Sequence, residues 1–169
     1  INNSTSNSTG QGLVFEAVAK GHVYDVALRN TNTSLSLVTA SSPQLDLQRT
    51  SVIGCHVLNE GKLLDFQGGV VIAANIDVSH SSSKSIGISI ETSLSATIST
   101  VAFDSTSTSS DLLKASSPTT TLRNASVQAC HVGSDGRIFN VRGGAVTAAH
   151  IDVSRSSRSN TYNFFWPTT

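Results

Sequence analysis

The stretch Cys55 to Ser82, CHVLNEGKLLDFQGGVVIAANIDVSHSS, returns without a gap at Cys130 to Ser157 as CHVGSDGRIFNVRGGAVTAAHIDVSRSS. Fifteen of the 28 positions are identical, and most differences are mild, such as Lys62 to Arg137, Glu60 to Asp135 and Leu63 to Ile138. The 75-residue offset holds beyond this core: Ala40-Ser-Ser-Pro43 aligns with Ala115-Ser-Ser-Pro118, Val26-Ala27 with Val101-Ala102, and Gly12 with Gly87. Residues 1–75 and 76–150 are two copies, 151–169 opens a third, and the whole of 1–169 forms one repeat domain. Such repeats decide the fold class, because each unit buries its apolar face only against its neighbours.

A shorter period lies inside the longer one. The triplets Val23/Val26/Leu28, Leu47/Thr50/Val52, Ala73/Ile76/Val78, Ile98/Val101/Phe103, Leu122/Ala125/Val127 and Ala148/Ile151/Val153 recur every 24–26 residues. A second apolar cluster follows each triplet, as at Leu63/Leu64 and Leu112/Leu113, and then a small-residue corner such as Gln67-Gly-Gly69 or Arg142-Gly-Gly144. No stretch sustains helical spacing, and Ser, Thr, Val and Ile dominate, which favours strands. The expected fold is all-β: a right-handed parallel β-solenoid of about seven rungs, roughly 30 Å long at about 4.8 Å per rung. Corner glycines are expected to supply positive φ and room for the neighbouring backbone. The alternative is two tandem β-sandwich domains of about 75 residues, in which the 25-residue spacing would be coincidence.

Phe139-Asn-Val-Arg-Gly143-Gly144-Ala145-Val146, followed by Ile151-Asp-Val-Ser154, resembles the GGA-I pattern of polymorphic outer membrane proteins and related pectin-lyase-like right-handed β-helices. The first copy carries Gly68-Gly69-Val70-Val71 there, and the companion Phe-x-x-Asn motif is replaced by Phe103-Asp-Ser-Thr106. The resemblance implies a surface-exposed adhesive or passenger domain.

Composition narrows the function. Eleven basic and 11 acidic residues cancel, and charged residues make up 13%, so nucleic acid is not an expected partner. No apolar run approaches the roughly 20 residues that span a bilayer, and the absence of a signal-like start is expected of a mature chain or a segment of a longer one. The 29 Ser and 18 Thr suggest disorder by bias alone, but regular apolar punctuation argues for order beyond the first ten residues. Sequons stand at Asn2, Asn3, Asn7, Asn32 and Asn124. With low charge and many hydroxyls they point to a secreted, extracellular or cell-surface glycoprotein, bearing N-linked and by extension O-linked glycans.

Chemistry-bearing residues are sparse. Cys55 and Cys130 are equivalent, three rungs and hence about 14 Å apart, too far for a disulfide. They are expected as free inward thiols in the column Thr31, Cys55, Ser81, Thr106, Cys130 and Ser156, with an intersubunit bond as the alternative. His56 and His131 follow them, but no metal site is expected, since four ligands do not converge. Asp77 and Asp152 are likewise three rungs apart, with Ala102 and Ser126 between, whereas acid–base chemistry on sugars needs carboxylates within roughly 10 Å. No catalytic residue, no enzymatic activity and no cofactor are expected. Thr31-x-Thr33 and Thr106-x-Thr108 suggest an ice-binding array but recur only once per three rungs. Phe164, Phe165 and Trp166 either cap the last rung or form a candidate self-association patch. The expected role is a structural glycoprotein, a repeat unit of a surface fibre or filament assembling head to tail as a homo-oligomer. An adhesin passenger, binding a host or polysaccharide surface, is the alternative, and a polysaccharide lyase or hydrolase comes third.

Overall fold

A computed structural model describes residues 12–159. The chain winds through six turns of parallel strand that stack into one continuous ladder. Turn 1 holds β1 (Leu13–Glu16), β2 (Lys20–Arg29) and β3 (Asn32–Thr33); turn 2 holds β4 (Val38–Ile53) and β5 (His56–Val57). Turns 3 and 4 hold β6 (Leu64–Ser79) with β7 (Ser82–Ser83), and β8 (Ile88–Asp104) with β9 (Ser107–Thr108). Turn 5 holds β10 (Leu113–Ser116), β11 (Thr119–Gln128) and β12 (His131–Val132). Turn 6 holds β13 (Phe139–Arg142), β14 (Ala145–Ser154) and β15 (Ser157–Arg158). All pairings are parallel, and each of the two sheets runs through every turn. Turns therefore start at Leu13, Val38, Leu64, Ile88, Leu113 and Phe139, the 24–26-residue spacing seen in the sequence.

This ladder excludes the two-sandwich alternative. β6 pairs in parallel with β8 from Leu64 to Ser79, with one register shift between Gly68 and Val70, straight across the junction of the two sequence copies. The copy boundary after residue 75 falls inside β6, at a bend rather than between domains. Six turns fall within the described residues, so any further rung of the expected seven would draw on residues outside 12–159.

The apolar triplets acquire a stereochemical cause. A plain strand sends every second side chain inward, yet Val23 to Val26 is a step of three. Asp25 lies between them with φ 55°, and Arg49, Asn75, Thr100, Asn124 and His150 repeat that left-handed bend once per turn. One left-handed residue turns the chain by a corner and shifts the inward phase by one position. Leu28 to Thr31 is a second step of three, over a second left-handed column of Asn30, Gly54, His80, Ser105, Ala129 and Arg155. The inward columns then stack like with like: Leu28, Val52, Val78, Phe103 and Val127 are each buried in register. Most of these bends use residues other than glycine, at a cost of about 1–2 kcal/mol for each unfavourable side chain. Ala129 has no side-chain polar group to offset that strain. Ala129→Gly should therefore stabilise the fold by about 0.5–1 kcal/mol once the extra chain entropy of glycine is subtracted. Urea unfolding reads the gain, and Gly54→Ala, in the same column, should move the midpoint the other way.

The Gly-Gly corners work differently from expectation. Gly68, Gly69, Gly143 and Gly144 do not adopt positive φ; among the described glycines only Gly54 does, at 62°. They are small because the neighbouring turn is close. A Cβ on Gly68 or Gly143 would collide with the carbonyl oxygen of Ser42 or Ser117, and one on Gly69 would lie 2.7 Å from that of Pro43. Of the two expected reasons, room for the adjacent backbone is the operative one.

Candidate functional site

The column of small residues beside the second bend has one shared hydrogen bond. The hydroxyl or thiol of Thr31, Cys55, Ser81, Thr106, Cys130 and Ser156 donates to the carbonyl two residues earlier, at 3.2, 3.4, 2.8, 3.1, 3.2 and 3.0 Å. Each bond spans the left-handed residue and braces the corner. Ser81 and Ser156 also accept the amides of Cys55 and Cys130 from the adjacent turn, both at 3.1 Å. The cysteines thus stand in for hydroxyl residues. Both are free and buried, with Ser81 and Thr106 on the turns between them, which leaves neither thiol a surface on which to form an intersubunit bond.

Burial pushes both thiols above their ordinary pKa. Their protons stay on in the folded chain at a pH where the unfolded chain begins to lose them, so this contribution to stability is present below about pH 9 and declines as pH rises past it. Cys55→Ser and Cys130→Ser should change stability by no more than about 1 kcal/mol and should flatten that alkaline decline. A thiol reagent should label neither cysteine in the native wild type and both after denaturation.

Cys55 and His56, and likewise Cys130 and His131, point to opposite sides of the wall, because neighbours in a strand alternate: the thiols are buried and the imidazoles exposed. They cannot share one ion. His56 Nδ1 meets Ser82 Oγ at 2.8 Å, and His131 meets Ser157 and Ser159 at 3.0 and 3.1 Å, tying adjacent turns on the outside. Among the described residues no group of three His, Cys, Asp or Glu side chains is placed to hold a metal. Asp77 and Asp152 share one outward column, Ser51–Asp77–Ala102–Ser126–Asp152, with two turns between them. Thr31, Thr33, Thr106 and Thr108 are buried, so the ice-binding pattern has no outward face there. An open depression of about 460 Å³, lined by Leu35, Ser36, Asn59, Glu60 and Gly61, carries Glu60 as its charged side chain.

Of the sequon asparagines, Asn124 is exposed at a left-handed bend between Thr100 and His150, with Ser126 also exposed. A glycan there would stand on a corner, clear of the ladder. Asn32 is half buried in β3, which lies at the edge of the six-stranded sheet. Asn2, Asn3, Asn7, Phe164, Phe165 and Trp166 lie outside the described residues.

One polar surface cluster escaped the sequence reading. The rings of His22 and Tyr24 stack with centroids 5.8 Å apart, and the Tyr24 hydroxyl donates to Asp46 at 3.0 Å. Gln48 donates to the other Asp46 oxygen at 2.9 Å, and Arg49 sits 5.9 Å over the Tyr24 ring while bonding Asp25 through two nitrogens. The hydrogen bond to Asp46 raises the phenol pKa, while the Gln48 amide leads in holding Asp46 below the usual carboxylate range. His22 and Asp46 are 24 residues apart and pair across turns, so aligning outward columns at the rung spacing would have found them.

The edges of the stack are the remaining feature. Among the described residues β2 and β14 each pair on one side only. Leu13, Phe15 and Val26 at one edge, and Phe139, Val141, Ile151 and Val153 at the other, are only partly buried against the core. Among the described residues no helix is long and apolar enough to cross a membrane. Comparison with protein-family models, with curated proteins and with solved structures gives no match to this chain.

Proposed function

We propose that the chain is a repeat unit of an extracellular structural glycoprotein, a surface fibre or filament that lengthens by adding turns to the open edges of its β-solenoid. The observation that carries this reading is the β6–β8 junction. There the third turn of one copy receives the first turn of the next through a parallel ladder like that of β4 and β6, with one register shift between Gly68 and Val70. A fold that joins its own copies without an adapter extends equally well between chains, since unpaired strand edges are templates for pairing. N-linked sugars at Asn124 and Asn32 decorate the sides, with O-linked sugars on exposed Ser and Thr. Catalysis, metals and cofactors have no part in this role.

Sedimentation velocity on the glycosylated full chain, over a wide concentration range, tests it. Mass that grows with concentration, together with linear particles in electron micrographs, is the expected result; a monomer at every concentration would sink the fibre. A second reading, an adhesin passenger binding a polysaccharide or host surface, draws on the exposed Tyr24–His22 stack with Asp46, Gln48 and Arg49 around it, an arrangement suited to a sugar ring. Retention on immobilised polysaccharide that Tyr24→Ala abolishes would favour that reading over the fibre.

A further inference from the structure

Shifting β6 and β7 by one 75-residue repeat gives β13, β14 and β15, and shifting β8 and β9 back by one repeat gives β1, β2 and β3. Turns 6 and 1 are therefore the two halves of the β6–β8 junction, each with one side open among the described residues. Their core side chains show it. Ile76 and Val78 are 1% and 0% exposed in the closed junction, whereas Ile151 and Val153 are only partly buried. Ile88 and Ile90 are sealed, whereas their counterparts Leu13 and Phe15 are not.

We propose that turn 6 of one molecule binds turn 1 of a second copy of this chain, in the register of the β6–β8 ladder, with Arg142 opposite Glu16 and His150 opposite Asp25 of the second copy. The inference rests on the fibre reading and specifies its joint. Phe139, Val141 and Ile151 then meet Leu13, Phe15 and Val26 of the second copy, apolar on apolar, as Leu64, Phe66 and Ile76 meet Ile88, Ile90 and Val101 inside the chain.

Two features belong to the outer edges and not to the internal junction. The first is charge. Gln67 faces Glu91 inside the chain, and the left-handed bends there are Asn75 and Thr100; neither is an opposite-sign pair. At the outer edges the same two positions carry Arg142 against Glu16, a pair of opposite sign, and His150 against Asp25. Directly opposed unlike charges favour a strand pair and like charges oppose it. Arg142 engages Asn140 Oδ1 through Nε at 3.2 Å, which leaves further guanidinium N–H groups for a carboxylate. The second feature is bulk. Before the bend at His150 the outward residues of β14 are Ala145, Thr147 and Ala149, and they would lie beside Lys20, His22 and Tyr24 of the second copy. Small residues on one edge leave space for large ones on the other. Arg158, which stands in the inward column of Thr33 and Val132, turns back to Ser134 O at 3.1 Å rather than filling the column.

The test uses the glycosylated full chain as wild type, Glu16→Arg, Arg142→Glu and the double variant. Both positions are exposed, and thermal melting confirms that each variant folds. Each single variant puts like charges across every joint, and association should weaken about tenfold in sedimentation at low salt. The double variant should recover. So should an equimolar mixture of the two singles, because each joint in an alternating chain then has opposite charges. High salt should shrink all these differences. Equal association by all four proteins would leave end stacking standing and overturn this register. Weakened singles that the mixture does not rescue would overturn the head-to-tail joint. A wild type that never associates overturns the fibre reading, and this joint falls with it.

Discussion

Phe103→Ala is expected to cost the fold about 3–5 kcal/mol. Phe103 is 1% exposed and stacks between Val78 and Val127 in the inward column that also holds Leu28 and Val52. In many cores a lost ring is partly refilled as neighbours slide inward. Here the turns above and below are held about 4.8 Å apart by their backbone ladder, so the walls cannot close and most of the cavity persists. Phe103→Val installs the residue type used on four other turns of the column, Val52, Val78, Val127 and Val153, and should recover part of the loss. Urea unfolding followed by circular dichroism measures both variants. Since stability in a stacked repeat is close to a sum over neighbouring turns, a weakened fourth turn should also broaden the transition. A loss below about 1 kcal/mol for Phe103→Ala would mean that the ring is not packed in the stack.

Asp111→Ala should cost about 2–4 kcal/mol, because it strands two buried donors at once. Asp111 is 5% exposed; one carboxylate oxygen accepts the Arg137 amide at 2.8 Å and the other accepts the Asn140 side-chain amide. The first copy solves the same packing problem with the charge moved. Ser36 Oγ accepts the Lys62 amide at 3.2 Å, and Asp65, at the position of Asn140, pairs with Lys62 Nζ at 2.9 Å. Each copy thus keeps one carboxylate, on different turns. Asp111→Ser combined with Asn140→Asp rebuilds the first copy's arrangement, with Arg137 in the place of Lys62. It should regain most of the stability that Asp111→Ala loses. A double variant no more stable than Asp111→Ala would show that the two networks are not equivalent.

Much of this architecture is legible because a solenoid writes its geometry along the chain. The 24–26-residue period gives the turn, and equal position in the period gives the column. The separations of Cys55 from Cys130 and of Asp77 from Asp152 follow by counting turns, and the ladder places each pair with two turns between its members. Even the bends leave a mark, since a step of three between inward residues needs a left-handed residue such as Asp25 or Thr100. Other features resisted. Thr31-x-Thr33 has the alternation of an outward face, but its phase was reversed by the bend at Asn30, and both threonines point inward. The Gly-Gly pairs read as bends, while their real constraint is a neighbouring carbonyl about 25 residues away. The His22–Tyr24–Asp46 cluster and the Asp111 network join residues 22–29 apart.

By itself, then, the sequence determined which residues stack on which, because stacking in a repeat depends only on phase along the chain. The tertiary structure decided which side of the wall each residue faces, why the glycines are needed and which faces stay open. Those depend on backbone handedness at the corners and on the distance to the next turn, and neither quantity is carried by a residue's place in the period.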